Sequence, residues 1–119
     1  MFTGTLIKES LDKEDLWDSL PLTDFETEML KEHAPDQPSV WHLAQLNIED
    51  VDIKKISKEL SKSLKQGTWY VDFSDRATVY IVFAGKIFKY PKGDLEKRKE
   101  AQAYGRSLGI PERQLNWKA

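Results

Sequence analysis

The stretch from Gly67 to Pro91 constrains the fold more than any other part of the chain, because it holds the densest run of β-branched and aromatic residues. Such residues are typical of strands with a half-buried, pleated surface. Polar residues interrupt the run at 74–76, and a second break at 84–86 contains Gly85, which can adopt the positive φ of a tight turn. The stretch therefore predicts a meander of three antiparallel strands.

The length of the first connection decides which side chains share a face of this meander. We favour a connection of five residues, 74–78, because it gathers the large apolar side chains on one face. The predicted core face then consists of Trp69, Val71, Phe73, Val79, Ile81, Phe83, Phe88 and Tyr90. The predicted outer face consists of Tyr70, Asp72, Tyr80 and Val82.

Periodic patterns also occur on both sides of the meander. Residues that alternate between apolar and polar predict strands at 2–11, 22–30 and 40–49. Apolar residues at helical spacing predict helices at 13–20, 50–65 and 94–108. Trp41 and Leu43 break the alternation of the third strand, which suggests that part of its outer face is also covered.

The end of the chain carries strong local signals. Asp94 is positioned to cap the last helix, and Gly109 follows its end with Pro111 as a stop. The tail 112–119 contains Leu115 and Trp117, and we expect these side chains to pack against the body of the protein.

The order of the elements indicates an α+β fold. The order βαββαβ is that of the ferredoxin-like unit, and an extra strand and a C-terminal helix follow it. We expect an antiparallel sheet with the two helices of this unit on one face and the other face open, and we expect the last helix to cover an edge or part of the open face. A different α+β sandwich with the same elements is the alternative. Residues 1–119 show no repeat or composition break, so a single domain is expected.

Composition excludes several classes of function. The 119 residues contain no cysteine, which excludes disulfides, thiol nucleophiles and zinc–thiolate sites. The net charge of −2 provides no overall field that would attract nucleic acid or an anionic membrane. No apolar run approaches the roughly 20 residues of a membrane span. We therefore expect a cytoplasmic protein that does not associate with membranes and has no cofactor.

Three stretches carry a resemblance to other proteins: WYVDF at 69–73, VYIVFAGKIFKY at 79–90 and AYGRSLGIPERQL at 103–115. Together they resemble a group of small uncharacterised prokaryotic proteins, from about Gly67 to the C-terminus. The resemblance implies a prokaryotic, cytoplasmic, single-domain protein, and it implies no activity, cofactor or binding residue.

Few residues suggest chemistry. His33 and His42, with Asp36 between them, do not match the spacing of a metal site, so no metal is expected. Asp72 is more informative, since its carboxyl lies between Val71 and an aromatic residue in the most apolar strand, where burial can raise its pKa. A structural hydrogen bond is the favoured role for this carboxyl. The alternative is a small ligand-binding or enzymatic site formed with Tyr70 and Tyr80.

Lysines give the second helix a basic face. They are Lys54, Lys55, Lys58, Lys62 and Lys65, and Lys86, Lys89 and Lys92 follow in the meander. A nucleic-acid surface has this character, with tyrosines as stacking platforms. The acidic total and the absence of an RNP motif argue against it, so we expect no specific nucleic-acid binding.

The favoured function is that of a non-catalytic binding or accessory module. It would act through the open sheet face or an exposed edge strand, on a protein partner or a second copy in a symmetric homodimer. The candidate partner-binding residues are Tyr70, Asp72, Tyr80, Val82 and Lys89. The alternatives are a nucleic-acid-associated protein that uses the lysine face of 50–65 and the small ligand-binding or enzymatic domain around Asp72.

Overall fold

The computed structural model describes residues 1–117. Its strands are β1 (Phe2–Ile7), β2 (Leu22–Met29), β3 (Val40–Ile48), β4 (Tyr70–Ser74), β5 (Thr78–Phe83) and β6 (Lys86–Pro91). Its helices are α1 (Asp15–Ser19), α2 (Ile53–Ser63) and α3 (Leu95–Ser107). Short 3-10 turns occupy 8–10, 50–52 and 112–114.

All six strands form one antiparallel sheet in the order β2-β3-β1-β4-β5-β6. The α+β prediction with an antiparallel sheet is therefore confirmed. The first strand lies in the interior of the sheet between β3 and β4, and two strands, not one, extend the sheet beyond β4. The edges of the sheet are β2 and β6.

The helices α1 and α2 cover one face of the sheet. Ile53 and Leu60 of α2 are buried against apolar residues of β1, β3, β4 and β5, and Trp17 of α1 packs at the border of this cluster. The buried members are Phe2, Leu6, Leu11, Leu46, Ile48, Ile53, Leu60, Leu64, Val71, Phe73, Tyr80 and Val82. We call this cluster the first core.

The opposite face of β4, β5 and β6 is covered by α3 and the segment 110–117. The buried members of this second core are Val79, Ile81, Phe83, Tyr90, Ala101, Ile110, Leu115 and Trp117. The last helix thus covers part of the face opposite α1 and α2, which is one of the two positions expected for it. Because successive residues of a strand point to opposite faces, β5 is buried on both sides from Val79 to Phe83.

The predicted register of the meander is wrong by one residue. Phe73 pairs with Tyr80, and Asp72 pairs with Ile81, so Tyr80 and Val82 point into the first core and not to an outer face. The side chain of Asp75 shortens the connection, since its carboxylate accepts hydrogen bonds from the backbone N–H groups at 77 and 78, at 2.8 and 2.7 Å.

The predicted ends of α3 are confirmed. Asp94 caps the helix by accepting a hydrogen bond from the N–H of Lys97 at 3.1 Å, and Gly109 follows the helix with φ of 88°. Leu115 and Trp117 are buried, as expected, whereas residues 118 and 119 of the predicted tail lie outside the described residues. No helix within residues 1–117 has both the length and the apolar character needed to cross a membrane.

Candidate functional site

The second face of the sheet is only partly covered, and a groove lies where the cover ends. It encloses about 350 Å³ between the open strands β1, β2 and β3 and the tail that follows α3. We call it the groove. Its lining residues are Thr5, Ile7, Glu28, Leu30, Glu32, Trp41, Thr68, Trp69, Tyr70, Asp72, Arg113, Gln114 and Asn116.

The floor of the groove depends on the close approach of β1 to β4. Gly4 pairs with Phe73, and a Cβ atom at position 4 would overlap the carbonyl oxygen of Asp72. The missing side chain therefore lets the two strands meet. It also places Thr5 and Asp72, the next residues on each strand, in the floor of the groove.

Hydrogen bonds fasten the tail that forms one wall. The side-chain amides of Gln37 and Gln114 bond to each other in both directions at 3.0 Å, although the two residues are 77 positions apart in sequence. The buried Gln37 amide also donates to the carbonyl and hydroxyl oxygens of Thr68, at 3.0 and 2.9 Å. These bonds hold the tail beside the segment that leads into β4.

Asp36 adds two hydrogen bonds to Thr68, in the same segment. Its carboxylate accepts hydrogen bonds from the N–H and the hydroxyl of Thr68, at 3.0 and 2.6 Å. Burial acts to raise the pKa of this carboxyl, but the hydrogen bonds from Thr68 outweigh it and keep the pKa below its ordinary value. The charge of Asp36 is thus already compensated by protein groups.

Aromatic side chains form much of the lining. The rings of Trp41 and Trp69 lie 5.4 Å apart, and both side chains are buried. Tyr70 packs on Trp117 at 5.3 Å and donates its hydroxyl hydrogen to the carbonyl oxygen of Gln114. Burial, and next the charge of Asp72, raise the pKa of Tyr70, so this side chain is neutral at physiological pH.

Asp72 contributes a partly buried carboxylate to the floor of the groove. Apart from its own N–H, no group within residues 1–117 donates a hydrogen bond to its carboxylate. Its neighbour across the sheet on β5 is Ile81, which is fully buried. Burial raises the pKa of the Asp72 carboxyl from 3.8 to about 6, so the group still carries a charge at neutral pH. The structural hydrogen bond that we expected for it is absent from the described residues.

Acidic side chains outnumber basic ones around the groove. Glu28, Glu32 and Asp72 line it, whereas Arg113 is the one lysine or arginine in the lining set. The guanidinium of Arg113 lies 3.7 Å from the carboxylate of Glu32. One acidic charge of the rim is thus neutralised, and the charge of Asp72 is not.

The structure separates the five predicted partner-binding residues. Tyr70 and Asp72 lie together in the groove, whereas Tyr80 and Val82 are buried in the first core on the other side of the sheet. Lys89 is exposed on the edge strand β6, with its Nζ atom 5.6 Å from the centre of the Tyr80 ring. The five residues therefore do not form one surface.

Several groove residues were missed by the sequence analysis. Trp41 gave a signal, because it broke the alternation of β3, and the structure shows its ring covered on the second face. Glu28 was visible only as one of the alternating carboxylates of its strand, which a solvated strand face explains, and Arg113 and Gln114 gave no signal. They lie in β2 and in the tail, far apart in sequence, and only the strand order brings them to one place.

The two histidines occupy other places. Nδ1 of His33 lies 2.9 Å from the carbonyl oxygen of Ala34, and Nδ1 of His42 lies 2.7 Å from a carboxylate oxygen of Glu9. Within the described part of the chain, no group of three or more histidines and carboxylates is arranged to hold a metal ion.

Two further depressions lie on the α1 side of the molecule. One of about 240 Å³ lies beside His42 and Trp17, and one of about 520 Å³ lies between α1 and α2. Lys55, Asp52 and Glu59 line the larger one, so charges of both signs are present there. The groove differs from both because its carboxylate at Asp72 is partly buried, whereas Glu26, Asp52 and Glu59 in the other two are exposed.

Comparison of the chain with protein-family models, with curated proteins and with solved structures found no match.

Proposed function

We propose that this protein is a non-catalytic binding module and that the groove is its ligand site. The observation that carries the proposal is the uncompensated carboxylate of Asp72 in the groove floor. A partly buried charge without a partner lowers stability, and an apolar or β-branched residue would suit this strand position better. A ligand group that pairs with the carboxylate explains why an aspartate occupies this position.

The size and lining of the groove support the same function. Its volume of about 350 Å³ is within the roughly 300–1,000 Å³ typical of small-molecule sites. Such sites combine mostly apolar and aromatic walls with a few polar groups that orient the ligand. Trp41, Tyr70 and Ile7 supply the walls, and Asp72 and Gln114 supply polar groups.

A substitution that fills the groove tests the proposal. We expect Thr5→Tyr to occupy the groove, since Thr5 is exposed in its floor. Thr3→Tyr is the matched control, because Thr3 is exposed on the same face of the same strand but does not line the groove. A mixture of small fragments should shift the amide NMR signals of groove residues in the wild type and the control, and not in Thr5→Tyr. Shifts that survive in Thr5→Tyr, or that occur only elsewhere, would contradict the proposal.

At the level of the fold, we infer that β1 to β4 with α1 and α2 form a ferredoxin-like unit. The position of β1 between β3 and β4, and the packing of both helices on one face, support this inference. NMR contacts that place α1 or α2 against the second face of the sheet would refute it. The resemblance to small prokaryotic proteins and the cytoplasmic location stay predictions.

Self-association through β6 is a second candidate function. The pairing of β6 with β5 is unbroken from Lys86 to Pro91, and no strand within residues 1–117 lies on the outer side of β6. In a two-residue hairpin the closing pair, here Phe83 and Lys86, is hydrogen-bonded. The alternation of the ladder then directs the N–H of Lys89 away from β5. Strand β2, in contrast, carries a bulge at Asp24, which disturbs an edge for pairing.

Sedimentation tests this second candidate. A homodimer that pairs β6 with β6 should shift towards monomer in Lys89→Pro, because proline removes an outward backbone donor. A wild-type protein that stays monomeric at high concentration would exclude the dimer.

The lysine face of α2 is the third candidate, for nucleic acid. The four lysines Lys54, Lys55, Lys58 and Lys62 are exposed on α2, and the exposed Lys89 lies on the same side of the sheet. These lysines are exposed to solvent and could contact phosphates, but Glu59 lies among them and the net charge of the protein is −2. We still expect no specific nucleic-acid binding.

A further inference from the structure

The charges of the groove favour one sign of ligand. With Glu32 paired to Arg113, the carboxylates of Glu28 and Asp72 leave the lining acidic. We propose that the groove binds a small organic cation, an ammonium or guanidinium compound, whose charged group pairs with Asp72. This inference rests on the groove being the ligand site.

The carboxylate of Asp72 suits such a group chemically. Among residues 1–117, the only group that donates a hydrogen bond to its oxygens is the residue's own N–H, so both oxygens can accept from a ligand. Ammonium and guanidinium groups supply several N–H donors, and bonds between two charged groups are about twice as strong as those between neutral ones. An anionic ligand would instead be repelled by Asp72 and Glu28 and would have to displace Glu32 from Arg113.

The aromatic side chains of the lining suit both the charge and the carbon stem of an organic cation. Tryptophan and tyrosine rings attract positive charge through their electron-rich faces and also accept the carbon stem of an amine. Trp41, Trp69 and Tyr70 all line the groove beside Asp72. Thr5 and Asn116 are within the same lining, and their side-chain oxygens offer acceptors for the remaining N–H groups.

Titration of Asp72 makes the proposal sensitive to pH. Because burial raises the pKa of this carboxyl to about 6, the carboxylate form that pairs with a cation is depleted at lower pH. Affinity should therefore be about tenfold lower near pH 5 than its plateau value above pH 7. The other charged or titratable groups in the lining are Glu28, Glu32, Arg113 and Tyr70, and Tyr90 of β6 also interacts with the charge of Asp72. A variant at position 72 is therefore needed to assign the effect.

A series of compounds of matched shape gives the test. Binding of n-butylguanidinium and n-butylammonium is compared by NMR titration with binding of the neutral n-pentanol and the anionic n-pentanoate. We expect the two cations to shift groove signals at lower concentrations than the alcohol, and pentanoate to bind least. In Asp72→Asn, cation affinity should fall at least tenfold near neutral pH and lose its dependence on pH. Glu59→Gln, which removes an exposed carboxylate of α2 on the opposite side of the sheet, is the control and should bind as the wild type does.

A second arm identifies the source of the cation. A capped tripeptide with a central arginine is compared with n-butylguanidinium, and its glutamine analogue is the control. Tighter binding of the arginine peptide would assign the groove to a side chain of a protein partner. Tighter binding of the free compound would assign it to a small metabolite.

The outcomes separate this inference from the proposed function. If the alcohol or pentanoate binds the groove as tightly as the cations, or if Asp72→Asn leaves cation affinity unchanged, the cation inference fails and the groove remains a ligand site. If no compound shifts groove signals, both proposals fail.

Discussion

Replacing Asp72 with asparagine should make the protein more stable at neutral pH. The carboxyl has a pKa of about 6 in the folded protein and an ordinary value of 3.8, so the folded state binds its proton more tightly than the unfolded state does. Between these two values, stability falls as pH rises, because ionisation of a buried carboxyl disfavours the fold. Above pH 6 the full penalty is present, and below 3.8 it is absent.

The magnitude follows from the same two values. A difference of about two pH units corresponds to about 3 kcal/mol, at 1.36 kcal/mol per unit. Asparagine has the same shape and no charge, so Asp72→Asn should raise the free energy of unfolding by about 2–3 kcal/mol near pH 7.5. The gain should shrink as the pH falls from about 6 to 4 and then vanish.

Denaturant unfolding of the wild type and the variant across this pH range measures the effect. Asp75→Asn provides a control of opposite sign, because hydrogen bonds from the N–H groups at 77 and 78 lower the pKa of Asp75. That variant should be less stable than the wild type at neutral pH and should approach it in acid. A gain for Asp72→Asn that is equal at pH 4 and pH 7.5 would refute the argument, since it could not come from ionisation.

Three further predictions concern packing, the groove floor and the lysine face. Phe83→Ala and Tyr80→Ala should each lower the free energy of unfolding by about 3–5 kcal/mol in denaturant, since both rings are buried, and a far smaller loss for Tyr80 would contradict its place in the first core. Gly4→Ala should lower the free energy of unfolding by about 1–3 kcal/mol, because the added Cβ overlaps the β4 backbone, and it should also move the amide NMR signals around Asp72. No specific nucleic-acid complex should form at physiological salt, and a tight, salt-sensitive complex that Lys58→Glu with Lys62→Glu abolishes would overturn this.

The elements of this fold were largely predictable because their signals are local. The three strands of the meander follow from composition, and the ends of α3 follow from Asp94 and Gly109, whose backbone roles involve only nearby residues. The burial of Trp117 was also expected from its chemistry. Each of these inferences needs no knowledge of how distant segments pair.

The register of β4 against β5 was not predictable by the rule that we used. Matching apolar residues across strands predicts the register correctly when one face of a sheet is buried and the other is exposed to solvent. Here α2 covers one face and α3 the other, so both alternating sets of β5 are apolar and the rule does not distinguish them. The side chain of Asp75, which closes the turn, decides the register instead.

The groove could be anticipated only in part, through Tyr70, Asp72 and the covered ring of Trp41. Asp72 was identified as unusual because a carboxylate interrupts an apolar strand. Its surroundings depend on Thr5, Trp41 and Gln114, which come from three distant parts of the chain. Their meeting requires β1 to insert between β3 and β4, which no local pattern encodes.

The two cores also occupy different parts of the sequence, and this bears on how the protein is made. Every buried residue of the first core lies within 2–82, whereas the second core runs from Val79 to Trp117. During synthesis from the N-terminus, the first core can therefore assemble while α3 and the tail are still inside the ribosome. In that interval the apolar second face of β4 and β5 has no cover, and it is then the part of the nascent chain most open to chaperones or to aggregation.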